Sequence, residues 1–262
     1  ARLKRLIAPF ILRRLKSQVL RELPERTEIL LQVEMSDEEA ALYTALRRHA
    51  IETLGQASGP PGRRSLRILA EIMRLRRACC NARLVLPDTK IASSKLALFD
   101  SLVTDLLDNG HKALVFSQFV DHLSIIRAHL DTRSIPYCYL DGATPARERQ
   151  RQVRQFQEGH APLFLISLKA GGLGLNLTAA DYVVHMDPWW NPAVEDQASD
   201  RAHRIGQHRP VTIYRLVTQN TIEEKIVRLH QEKRELADSL LAGTDAARGV
   251  NPAELLRLLR EE

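Results

Sequence analysis

The residues best suited to phosphate chemistry lie in Asp196 to Gln207, DQASDRAHRIGQ. On a continuous helix Gln197, Arg201 and Arg204 stand at i, i+4 and i+7, so an amide and two guanidinium groups project from one face. Three polar forks aimed one way suit a polyphosphate. An arginine inserted from a second domain can neutralise the charge spread over a transferring phosphoryl group, an effect worth roughly 10³ to 10⁵ in rate when supplied in trans. The opposing reading is a solvated helix face on which Arg201 and Arg204 pair with Glu195 or Asp200, the usual fate of closely spaced surface charges. A second segment, Leu163 to Asn176 (LFLISLKAGGLGLN), runs a strand directly into a glycine-rich turn. Gly171, Gly172 and Gly174 allow positive φ and close backbone approach, so successive N–H groups can form an anion-binding nest beside Lys169 and Asn176. Glycine is also needed there simply to make a tight strand-to-helix turn.

Two further segments suggest contacts with nucleic acid. In Met186 to Pro192 (MDPWWNP) two tryptophans sit in a turn that ends a strand, so at least one indole is expected at the surface, where stacking on bases or packing into a groove are typical uses. The alternative is that both pack beneath a loop. Leu114 to Phe119 (LVFSQF) places Ser117 and Gln118 at a strand's carboxyl end, and Tyr139 to Arg149 (YLDGATPARER) places Gly142 and Thr144 at the next, with Thr144 as helix N-cap and Pro145 at N1. Hydroxyls and free helix N-termini at neighbouring strand ends can follow a phosphate backbone; simple capping would use the same residues.

These segments need a frame. From Ser93 onward helices alternate with short apolar runs: helix 95–107, strand 113–117, helix 121–130, strand 137–140, helix 146–156, strand 163–167, then strands 182–186 and 212–217. Apolar runs of this length between helices predict an α/β fold with a parallel sheet covered on both faces and ligands at the carboxyl ends of the strands. Upstream, residues 1–24 form a basic amphipathic pattern ending at Pro24, residues 28–34 read as a strand, and Ser36 with Glu39 makes a capping box for a helix running to Leu54. A loop over 55–62 leads to a second helix whose apolar face is Leu66, Leu69, Ile72, Met73 and Leu75 and whose other faces carry Arg67, Arg74, Arg76 and Arg77. Residues 37–86 thus read as a helical appendage. A long charged helix over 221–241 and a short one over 252–259 close the chain.

The 262 residues, 44% of them hydrophobic, can bury a sizeable core. The net charge of +6 leans towards a polyanionic partner, although solubility alone would account for it. Cys79, Cys80 and Cys138 give neither a disulfide framework nor the paired spacing of a zinc site, so no metal ligand set is expected. With no apolar run long enough for a bilayer, the chain reads as soluble, cytoplasmic and nucleoid-associated. Opening on Ala1 rather than methionine, it is expected to be part of a longer polypeptide.

In order and spacing, LVFSQF, YLDGATPARERQ, LFLISLKAGGLGLNLTAADYVVHMDPWWNP and EDQASDRAHRIGQ resemble the helicase-like motifs of the second RecA-like lobe of Swi/Snf ATPases, with a bacterial flavour in the doubled tryptophan. The opening PFILRRLKSQVLRELPER resembles the stretch leaving that family's first lobe. The resemblance implies a motor that hydrolyses ATP with Mg²⁺ between two lobes and walks along double-stranded DNA. By motif, Arg201 and Arg204 match arginine-finger positions and Gln197 their phosphate-facing neighbour. Gly172, Gly174 and Asn176 match the motif that closes on nucleotide; Ser117, Gln118, Gly142, Thr144, Ser167, Lys169 and Gly171 match DNA-backbone contacts, and Trp190 the aromatic near the groove. The implied organisation is 1–36 leaving the first lobe, 37–90 a helical insertion, 91–218 the second lobe and 219–262 brace helices. The family's Leu-Arg-x-x-Cys-Asn-His-Pro stands here as LRRACCNARL, which leaves the packing of that junction open. No GxxxxGK[ST] loop and no Asp-Glu metal motif occurs in these residues, so ATP and Mg²⁺ are expected to be held mainly by the first lobe of the same polypeptide, and this lobe alone is expected to be inactive. A relative acting on stalled RNA polymerase, and a non-catalytic binding module, remain compatible with the sequence.

Overall fold

A computed structural model describes residues 23–55, 61–171 and 174–229. The chain runs β1 (Arg26–Val33), α1 (Asp37–Gly55), α2 (Pro61–Cys80), a 3₁₀ turn (Ala82–Leu84), α3 (Ser94–Asp108), β2 (Ala113–Ser117), α4 (Val120–Thr132) and β3 (Tyr137–Leu140). It continues with α5 (Ala146–Gln157), β4 (Leu163–Ser167), the short α6 (Leu168–Gly171), β5 (Tyr182–His185), α7 (Pro192–Ser199) and β6 (Val211–Thr218), and residues 222–229 are helical. All strands pair in parallel, in the order β1-β6-β5-β2-β4-β3. The basic opening over 1–22, the closing helix over 252–259 and most of the 221–241 helix lie outside the described residues.

The centre of the sheet is buried on both sides, as its apolar runs require, while the edge strand β1 is largely exposed. β2 and β4 are buried at every position, and alternate side chains feed opposite cores. Leu114, Phe116, Phe164 and Ile166 enter one cluster, while Ala113, Val115, Leu163 and Leu165 enter the other. The segment placed by sequence ahead of the lobe supplies the sheet's edge strand: β1 pairs with β6 along its whole length, from Arg26↔Val211 to Val33↔Thr218.

α1 and α2 pack on each other, and Ile222 and Ile226 join them in a third cluster. The capping box forms, since Glu39 N–H donates to Ser36 Oγ (3.3 Å) and Ser36 N–H to Glu39 Oε2 (3.1 Å). The same buried carboxylate accepts from the Ser94 backbone N–H (3.1 Å) and hydroxyl, tying the insertion to the start of α3. One expectation fails here: Arg76 is fully buried rather than displayed. Its guanidinium sits 5.4–5.5 Å from the ring centroids of Phe119, Trp189 and Trp190, donates to the Pro188 carbonyl and lies 3.7 Å from Asp187. An arginine on a helix can go inward when rings and a carboxylate replace its hydration together.

Beneath α3, Lys95 Nζ meets Glu223 Oε2 at 2.6 Å with both side chains at 1% exposure or less, and Glu223 Oε2 also accepts the Thr218 N–H (2.9 Å). Burial would lower the Lys95 pKa, but the Glu223 carboxylate outweighs it and the net shift is upward. Removing one partner leaves an uncompensated buried charge. Lys95→Met should therefore lower the unfolding free energy by about 3–5 kcal/mol in urea titrations; a cost under about 1 kcal/mol would show that the pair contributes little.

Candidate functional site

α7 begins where the sequence sets it, with the Asn191 side chain accepting from Ala193 N–H (3.2 Å) and Pro192 in the first turn. It ends sooner than the motif suggested. Asp200 is the C-cap, so Gln197 lies on the helix while Arg201 and Arg204 lie in the turns after it, and the three do not share one helical face. The cause is competition for carbonyls. Leu177 N–H takes the Arg201 carbonyl (3.0 Å) and the Gln207 amide takes that of Ala202 (3.1 Å), the groups another helical turn would have used. Gln207 also donates to Thr178 O and Ala180 O, and Gly206 adopts φ +97° as the chain turns back.

The opposing reading for the arginines, pairing with Glu195 or Asp200, does not hold either. Glu195 is engaged by Arg215 Nε (2.8 Å), and Asp196 and Asp200 by the two guanidinium nitrogens of Arg26 (3.0 and 3.4 Å). Among the described residues no carboxylate reaches ion-pair distance of Arg201 or Arg204, and Arg201 Nε is buried without a hydrogen-bond partner. Arg201 is only 7% exposed, whereas Arg204 is exposed. Burial, and next the Arg204 guanidinium, lower the Arg201 pKa, with Asp200 pulling the other way. Two neighbouring cations without an anion make a place where an anion gains on arrival.

The glycine loop joins this turn. Gly171 closes α6, Gly174 adopts φ +71° with open space where a Cβ would lie, and Gly172 is outside the described residues. Asn176 is exposed, and its carbonyl accepts from Gln157 Nε2 (3.3 Å). Because Leu177 is bonded to Arg201, the end of the loop and the arginine turn are held together near the segment entering β5, whereas the loop begins at the carboxyl ends of the strands, where α6 follows β4.

Those carboxyl ends carry a different set. Gln118 and Lys169 line one open cavity with Phe119, Leu168 and Trp189. The Gln118 amide nitrogen is without a partner, and Lys169 is exposed. Ser117 and Ser167, at 1% and 3% exposure, are turned inward instead. Ser117 donates its hydroxyl to Asp187 and accepts the Phe119 N–H. Gly142 is exposed. Thr144 is not the N-cap of α5, a position held by Pro145: its hydroxyl accepts from Asp141 N–H (3.0 Å) and donates to Asp141 Oδ1 (2.9 Å), closing the loop ahead of the helix. Both tryptophans are half-buried, Trp189 against one sheet core and Trp190 against the α1–α2 cluster, with Arg76 between them.

Sequence reasoning passed over Asp187, which accepts from Ser117 Oγ and Gln118 N–H and pairs with Arg76. Burial pushes its carboxyl up to about 6 against the pull of Arg76. A lone acid directly after an apolar strand was the available signal. His122 is likewise buried, with its pKa pushed down to about 3 by burial and by Lys95.

A six-stranded, all-parallel α/β sheet flanked by helices matches the RecA-like architecture of SWI2/SNF2 ATPase cores. The family described as helicase conserved C-terminal domain matches residues 94–206, and that described as SNF2-related domain matches residues 1–84. An uncharacterized ATP-dependent helicase of Mycoplasma pneumoniae is 37% identical over 256 residues, covering 96% of this chain and 24% of that protein. The Sulfolobus solfataricus SWI2/SNF2 ATPase core in complex with dsDNA superposes with a TM-score of 0.73 at 31% identity, covering 98% of this chain and 55% of that one. For the C-terminal domain of a Sulfolobus solfataricus SWI2/SNF2 ATPase the values are 0.72 and 27%, covering 90% of this chain and 99% of that one. The chain belongs to the Swi/Snf-type, helicase-like ATPase family and has its RecA-like fold. It spans about a quarter of the length of the curated relatives it matches.

Glu28 on β1 links the two arginines that hold the α7 carboxylates. Burial raises its pKa, but Arg215 and Arg26 outweigh burial and hold it at about 2, against an ordinary 4.5. Its folded value is depressed, so its contribution is present above about pH 4.5 and is lost as pH falls towards 2. With 32% of the side chain exposed, solvent screening reduces this to on the order of 1–2 kcal/mol. Glu28→Gln should be destabilised by that amount at pH 7 and converge on the parent near pH 2 in thermal unfolding; a gap that stays constant with pH would contradict the assignment.

Proposed function

We propose that this chain is the second motor lobe of an ATP-dependent double-stranded-DNA translocase. Arg201 and Arg204 complete, in trans, a nucleotide site whose phosphate loop and Mg²⁺ ligands belong to a first lobe. The observation that carries the proposal is the pair of guanidinium groups without a carboxylate partner. In this role Arg204, exposed at the tip of the turn, reaches the γ-phosphate. Arg201 backs it from the lobe surface, and Gln197 adds a neutral donor from α7. Gly172, Gly174 and Asn176 close on the nucleotide as the lobes meet, and the adjacent Leu177, whose N–H donates to the Arg201 carbonyl, makes closure one movement.

DNA runs along the other end of the sheet, against Gln118, Lys169, Gly142 and Thr144, with Trp190 setting the wall of the track. Support for this side is the unpartnered Gln118 amide beside an exposed lysine, together with the likeness to an ATPase core solved on dsDNA. ATP binding closes the cleft and hydrolysis reopens it, so the DNA advances as the two lobes alternate. The buried Ser117 and Ser167 position the strand ends and leave phosphate contact to their neighbours.

In the complete polypeptide, Arg204→Ala should reduce DNA-stimulated ATP hydrolysis by roughly 10² to 10³ or more while duplex affinity changes less than about twofold, because the arginine contributes at the transferring phosphate and not at the DNA. Lys169→Ala should do the reverse, weakening duplex binding and reducing its salt dependence by about one phosphate contact. Full turnover by the Arg204 variant would overturn the proposal.

A further inference from the structure

Where the helical insertion meets the sheet, three side chains of metal-ligand type converge from separate elements. Cys80 is the last residue of α2, His122 lies in the first turn of α4, and Asp187 follows β5. One ligand atom from each lies within 4.8 Å of the others, and all three residues are buried. His122 is the odd member. Its exposure is 0%, yet neither ring nitrogen has a hydrogen-bond partner, although an unsatisfied buried polar group costs about 1–3 kcal/mol.

We propose that Cys80, His122 and Asp187 bind a divalent transition metal of the zinc type, which fastens the helical insertion to the ends of β2 and β5. A thiolate, an imidazole and a carboxylate together suit Zn²⁺ and its neighbours, while Mg²⁺ and Ca²⁺ call for an all-oxygen set. Metal–ligand bonds of about 2.0–2.3 Å put tetrahedral ligand atoms roughly 3.3–3.7 Å apart. Small side-chain rotations of about 1 Å therefore close the cluster on an ion, and a water completes the fourth position. The charges nearly balance, with one positive charge, that of Arg76, left over. The thiolate and the carboxylate offset the two positive charges of the ion, while Lys95 is neutralised by Glu223 and Arg76 lies in its cage of three rings. Asp187 already has an outer shell in Ser117 Oγ, the Gln118 N–H and Arg76 at 3.7 Å, the kind of support that orients a metal-bound carboxylate. Binding releases one proton, from the Cys80 thiol to solvent, so affinity rises with pH.

The proposal does not depend on the motor reading, and its test does not use activity. The untagged complete polypeptide, stripped with chelator, is titrated with Co²⁺ while its visible and near-ultraviolet spectrum is followed. The expected result is saturation at one equivalent at this site, with intense tetrahedral bands and a sulfur-to-metal charge-transfer band. Cys80→Ala and His122→Ala should weaken Co²⁺ binding at least about 100-fold and abolish that band, while Cys138→Ala retains it. Far-ultraviolet circular dichroism shows whether each variant is folded. In parallel, Zn²⁺ should raise the Tm of the parent and of Cys138→Ala but not that of Cys80→Ala. If the folded parent shows no charge-transfer band and no Zn²⁺-dependent Tm shift, or if the band survives Cys80→Ala, the proposal is overturned.

Discussion

The arginine turn depends on where the carboxylates around it go. Glu195, Asp196 and Asp200 are all close enough in sequence to neutralise Arg201 and Arg204, and on an isolated helix they would. The sheet prevents this: Arg26 at the start of β1 and Arg215 within β6 project beneath α7 and draw those acids downward. Pairing between Arg26 and Val211 fixes the first of these cations in register with the second. Two arginines that carry no chemistry thus leave two others unpaired, and the price is a cluster of like charge that folding must hold together.

The same logic recurs under the helical insertion, where polar side chains are buried only in company. Lys95 with Glu223, Arg76 with Asp187 and three rings, and Glu39 with the Ser36 and Ser94 donors each join elements far apart in sequence. Such contacts add less stability than apolar packing of the same volume would, but they admit one arrangement, because any shift strands a charge. In the proposed motor role, a lobe that changes its relation to DNA and nucleotide without distorting internally has reason to be fixed in this way. The Arg76–Asp187–Ser117 contacts also connect α2 to the peptide carrying Gln118.

Much of this was legible in the sequence. Strands 113–117, 137–140 and 163–167 are found at those bounds because uninterrupted apolar runs between polar helices have no other burial available to them, and the Ser36–Glu39 box follows from local chemistry alone. What failed was non-local. Residues 196–207 read as one continuous helix, but Leu177 and Gln207 compete for the carbonyls a longer helix needs. Arg76 follows the polar pattern of α2 and is buried only because residues more than a hundred positions later supply rings and a carboxylate. Thr144 has capping chemistry but uses it on Asp141, and the side chains that converge on Cys80, from α4 and after β5, leave no trace in cysteine spacing. The arginines and glycines were found by motif, whereas their lack of carboxylate partners became visible only once β1 and β6 were seen beneath them.

The central claim is that Arg26 and Arg215 keep the α7 acids away from Arg201 and Arg204. Arg26→Met in the complete polypeptide tests it most directly, because it changes none of the proposed nucleotide or DNA contacts yet removes the Arg26 contacts of Asp196 and Asp200. If the claim is right, the steady-state rate of DNA-stimulated ATP hydrolysis at saturating ATP falls at least about tenfold with duplex affinity unchanged, as the acids no longer held by Arg26 turn towards the arginine pair. An unchanged rate in a folded Arg26→Met protein would contradict it.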